Sequence, residues 1–113
     1  MVTYADFLPR LADDVPVLAP IVEEHLEDND GEVLPHLLLF DIRQWCIEHV
    51  QTDRATVQQV VDGLERALTS GDDAIENALA VSFVEDLLTD GARGEAVLGM
   101  LQPGMSAMIA WFR

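Results

Sequence analysis

Ala78-Leu79-Ala80-Val81-Ser82-Phe83-Val84-Glu85-Asp86-Leu87-Leu88 is the stretch that decides the fold. On a helical wheel, Leu79, Ala80, Val81, Phe83, Val84, Leu87 and Leu88 wrap more than half the circumference. Only a thin strip through Ala78, Ser82, Glu85 and Asp86 reads as polar. A helix apolar on most sides is buried on most sides, so the spacing predicts a central helix over residues 73–89. Asp72 or Asp73 starts it, with Glu76 placed as in a capping box after Asp73, and Gly91 follows its end.

Outward from this stretch, glycine and proline cut the chain into helix-length pieces, and no useful segment alternates as a half-buried strand would. Thr3 caps a first helix to about Asp14, with Pro9 limiting its regularity. Asp14 caps a second, which carries Pro16 in its first turn and ends near Asp28 before Gly31. Pro35 opens a third to about Gln51, the main partner of the central helix through Leu34, Leu38, Ile42 and Trp45. Asp53 caps a fourth to Ser70, where Gly71 supplies a left-handed stop. Val57, Val60, Val61, Leu64, Ala67 and Leu68 make one arc of it, and Gln58, Gln59, Asp62, Glu65 and Arg66 fill the rest. That pattern marks an outer helix. A short helix near Glu95–Leu101 follows, then Pro103-Gly104 and an apolar last turn with Trp111 and Phe112 packed in the core. The reading is a single all-α domain over residues 1–113: five main helices plus a short C-terminal one.

Composition limits the partners. Half the residues are hydrophobic, so the chain can bury a core and is not disordered. Twenty-one acidic residues face six arginines and no lysine, for a net charge of −15. Such a surface is repelled by nucleic acid and by anionic membranes. No apolar run approaches a membrane span, and no basic region precedes an apolar stretch as in a signal peptide. One cysteine, Cys46, forms no internal disulfide, which fits a reducing, cytoplasmic setting.

No catalytic constellation emerges. His25 lies within Glu23-Glu24-His25-Leu26-Glu27-Asp28 and reads as a protonated surface histidine. His36 follows Pro35 in an ordinary surface place, and His49 falls on the apolar arc of the third helix as a core or rim residue. Cys46 and His49 stand three apart, yet a metal needs three or four ligands, and Glu48 and Asp53 do not share their face. Asp28-Asn29-Asp30-Gly31 fails as a calcium loop, because Leu26 and Leu37 occupy its first and last ligand positions. Cys46 reads as an inert buried thiol, and neither a nucleophile elbow nor a phosphate-binding glycine loop occurs. No metal or cofactor is expected.

An asymmetric charge remains. Residues 23–32 hold Glu23, Glu24, Glu27, Asp28, Asp30 and Glu32 and no base. They crowd a helix C-terminus, where the macrodipole favours cations at about 0.3–1 kcal/mol per charge. Local stability does not explain them, so these six carboxylates are the candidate partner-binding residues. Solubility is the competing explanation.

Two segments resemble a known family: Leu34-Pro35-His36-Leu37-Leu38-Leu39-Phe40-Asp41-Ile42-Arg43-Gln44-Trp45 and Ala78-Leu79-Ala80-Val81-Ser82-Phe83-Val84-Glu85-Asp86-Leu87. Together they resemble small, acidic, all-helical bacterial proteins of unknown function, some similar to immunity proteins of polymorphic toxin systems. The resemblance implies a shared helical fold and carries over no site residues. The expected function is a non-enzymatic binding protein, foremost an immunity-type inhibitor of a basic toxin domain. A DNA mimic or regulatory adaptor aimed at a nucleic-acid-binding protein is the alternative, and a small-molecule-binding or catalytic bundle is third.

Overall fold

Helix ends follow the side chains that can hold them. In the computed structural model, which describes residues 2–113, Pro35 sits in the first turn of α3 (Pro35–His49), where no helical bond needs its missing N–H. Asp53 accepts a hydrogen bond from the Thr56 N–H at 3.3 Å and caps α4 (Arg54–Leu68). Asp72 accepts from the N–H groups of Ala74 and Ile75 at 2.8 and 3.1 Å and caps α5 (Asp73–Leu79). Gly71 supplies the predicted left-handed stop, at φ +77°.

The other elements are α1 (Phe7–Asp14), a 3₁₀ turn (Pro16–Leu18), α2 (Ala19–Asp28), a π-helical segment (Ala80–Val84), α6 (Glu85–Leu87), α7 (Gly91–Leu98), α8 (Pro103–Met108) and a last 3₁₀ turn (Ile109–Trp111). The run α5–π–α6 is continuous. Counted as one, it makes seven helices and no strand among the described residues. The chain is all-α.

The core is the seam between α3 and the α5–π–α6 run. Leu38, Leu39, Ile42 and Cys46 from α3 meet Ala78, Leu79, Phe83, Val84 and Leu87, all completely buried. The run packs on α3, α4, α7 and α8, while α3 touches α1, α2, α4, α5, the π segment and α7. The two helices share the centre. α4 closes one side with the predicted stripe of Val57, Val60, Val61, Leu64 and Ala67.

Several expected details change. Val81 is 42% exposed, and Ser82, placed on the polar strip, is buried. Val81 stands one turn from exposed Asn77 and Glu85, whereas Ser82 stands over buried Ile75 and Ala78, and the small side chains of Ala78 and Ser82 let this strip of the helix face inward. Thr3 does not cap α1. It contributes its N–H to the Asp6 carboxylate at 2.7 Å, and the helix begins at Phe7, with Pro9 still in its first turn. This bond holds the Asp6 carboxyl below its ordinary range. Asp14 does not cap α2 either, because the 3₁₀ turn begun by Pro16 intervenes.

α7 starts at Gly91, ahead of the expected Glu95. Gly94 permits this, since a Cβ there would collide with the Leu87 carbonyl and the Asp90 side chain. Trp111 and Phe112 are exposed, at 57% and 38%. Met105 and Met108 already take the inward places of α8, and the last residues lie beyond the core.

Candidate functional site

α2 and α3 are joined by residues 29–34, so short a connection that the helices turn back on one another. Between them runs a groove of about 540 Å³ lined by Ile21, Glu24, His25, Asp28, Asn29, Leu37, Asp41, Gln44, Trp45 and Glu48. Helical spacing builds both walls. Ile21, Glu24, His25 and Asp28 stand at i, i+3, i+4 and i+7 on α2, and Asp41, Gln44, Trp45 and Glu48 repeat that spacing on α3. Each wall thus contributes two carboxylates, and no lysine or arginine lines the groove.

Of the six predicted carboxylates, the structure brings Glu24 and Asp28 into this groove and leaves Glu23, Glu27, Asp30 and Glu32 exposed outside it. Its other half, Asp41 and Glu48, escaped the charge-cluster reading because these residues are scattered in sequence. Their seven-residue interval on either side of Trp45 was the available signal. Among the described residues none of the four groove carboxylates is ion-paired. Glu48 accepts a bond from the Gln44 amide at 3.1 Å. Trp45 stacks on His49 with ring centroids 4.4 Å apart, and the His49 Nδ1 donates to the Trp45 carbonyl at 2.8 Å.

His25 corrects the sequence reading. It is 4% exposed, and its Nε2 accepts the Leu34 N–H at 2.9 Å. A backbone N–H only donates, so Nε2 is the acceptor in this bond. The Asn29 side chain donates to the His25 carbonyl at 2.7 Å. His25 therefore fastens the end of α2 to the residue that precedes α3. It forms the floor of the groove.

Charge is handled differently at the core seam. Arg43 is buried, donates through Nη1 to Asp90, and holds Nε 3.9 Å from Asp86. Its guanidinium lies 4.6 Å over the Phe40 ring. On the same seam His36 Nδ1 and Ser82 Oγ are 2.5 Å apart, so His36 is a tie between helices and more than a surface residue. Burial pushes the Cys46 thiol up to about 12, against the opposing pull of Arg43, which keeps it protonated and unreactive. Among the described residues no three His, Cys, Asp or Glu side chains converge to hold a metal.

The polar side of α4 makes structural contacts. Glu65 accepts the N–H groups of Gly104 and Met105 at 3.0 and 2.9 Å and caps α8 from another helix. Gln58 donates to the Met100 carbonyl, and Gln102 donates to Asp62.

Residues 8–110 match the family model described as "Domain of unknown function (DUF7674)". The chain belongs to this family. No curated protein and no solved structure matches it. No helix among the described residues is long and apolar enough to cross a membrane.

Proposed function

We propose that this DUF7674 protein is a non-enzymatic binding protein whose α2–α3 groove receives a basic segment of a protein partner. Four unpaired carboxylates flank Trp45 and Leu37 in one concave surface that contains no lysine or arginine, and this observation carries the reading. The net charge of −15 steers a basic partner toward the groove, and such steering lifts association toward about 10⁸–10⁹ M⁻¹s⁻¹ at low salt. Trp45 and Leu37 supply the apolar anchors that charge alone lacks.

In its most specific form the reading is an immunity-type inhibitor covering the positive cleft of a toxin domain. A gene beside this one should then encode a basic, toxic protein. Co-expression is expected to relieve the toxicity, and stopped-flow mixing should show association that slows steeply with salt. Toxicity unchanged by co-expression would defeat the immunity reading. Tight association with a nucleic-acid-binding regulator would instead favour the adaptor or mimic reading.

A further inference from the structure

The order of side chains along the groove says more about its occupant than its charge does. Because α2 and α3 run back on one another, Asp28, Asn29 and Leu37, nearest the connection, line one end of the groove, and Ile21, Trp45 and Glu48, farther from it, line the other. Leu37, 56% exposed, makes one end apolar, and half-buried Ile21 and Trp45 make the other end apolar. The carboxylates of Asp28, Asp41, Glu24 and Glu48 are spread along the walls between and beside these ends. From Leu37 to Trp45 the rise along α3 is about 12 Å, a little over two helical turns.

Resting on the groove reading above, we propose that the occupant is a single amphipathic helix of the partner protein with the face apolar–x–x–base–base–x–x–apolar. Residues at i and i+7 of such a helix lie about 10.5 Å apart and reach the two apolar ends together. Bases at i+3 and i+4 then project from the same face between them, within reach of a carboxylate on either wall. An extended basic segment rises about 3.3 Å per residue and alternates its side chains, so it presents half its bases away from the groove. The exposed face of α3 continues the pattern. Leu37, Phe40, Asp41, Gln44 and Glu48 form one stripe at i, i+3, i+4, i+7 and i+11, all exposed, on which a helix can lie lengthwise.

Two synthetic alanine-based peptides of about 18 residues test this, each long enough to form helix. One carries Leu at i and i+7 with Arg at i+3 and i+4, and the other has the same composition scrambled so that the face is lost. Isotope-labelled full-length protein is titrated with each, and amide shifts are followed by NMR. The patterned peptide is expected to saturate at one per chain, to shift the α2 and α3 groove residues, and to bind about tenfold more tightly than the scrambled one. Equal affinities would overturn the helix assignment while leaving an acidic groove that binds basic segments. Shifts confined to another face, or none with either peptide, would overturn the groove reading as well. Asp41→Asn, at an exposed position, should weaken the patterned peptide more than the scrambled one. An equal loss for both again counts against the helix.

Discussion

The α3 helix carries charge on two faces, and the two are treated in opposite ways. Inward, Arg43 is buried against the carboxylates of Asp90 and Asp86 and roofed by Phe40. Outward, Asp41 and Glu48 face Glu24 and Asp28 across a groove with no base among them. The charge buried at the seam has a counter-charge beside it. In the groove four carboxylates stand together without one, and their mutual repulsion works against the folded state. That difference separates a device that holds the helices together from the surface proposed to receive a partner.

The inner face should be costly to disturb. Phe83→Ala, at the centre of the seam, should cost about 3–5 kcal/mol in urea unfolding, as truncation of a buried aromatic does. Arg43→Ala comes next, at about 3 kcal/mol, because Asp90 loses its cation while mostly buried. A loss below about 1 kcal/mol would mean that the pair is no structural device, and the contrast between the faces would collapse.

His25 sits between the two regimes. His25→Phe keeps a planar aromatic ring and removes the acceptor of the Leu34 N–H, at an expected cost of about 1–3 kcal/mol. Amide exchange at Leu34 should accelerate in this variant. Unchanged exchange would show that the α2–α3 connection is held by other means.

Cys46 gives a smaller, pH-dependent effect. Its folded-state value of about 12 lies above the ordinary 9.0, so the native thiol keeps its proton where the unfolded thiol has lost it. The associated stability is complete below about pH 9 and is lost as pH rises toward 12. Cys46→Ala should flatten this alkaline decline in stability. Alkylation of the native protein at pH 8 should be negligible until it unfolds.

How much of this was legible in the sequence depends on how local the cause is. The α4 stripe and the Asp53 cap follow from spacing within one regular helix, and both stand as expected. The burial of Phe83, Val84 and Leu87 was legible because a helix apolar on most sides has nowhere else to go. The exchange of Val81 for Ser82 at the interface was not, since Ala78 and Ser82 read as a polar strip yet are small enough to pack inward beside Ile75. His25 was misread because its partner Leu34 lies beyond the helix end, in the connection to α3, and the role of Glu65 was not legible because the start of α8 lies far along the chain. The groove was half legible. The run of carboxylates in residues 23–32 showed one wall, and only the packing of α3 against α2 supplies the other.

The smallest expected effect on stability carries the most weight. In Glu24→Gln/Asp28→Asn/Asp41→Asn/Glu48→Gln the groove keeps its shape and loses its charge. Exposed substitutions of this kind usually change stability by no more than about 0.5 kcal/mol each, and relief of repulsion should hold or raise the melting temperature. The decisive measurement pairs that melting curve with calorimetric titration of the patterned basic peptide at low salt. The account predicts an unchanged or higher melting temperature together with loss of peptide binding. A lowered melting temperature with peptide affinity intact would contradict it, by showing that these carboxylates serve the fold and not a partner.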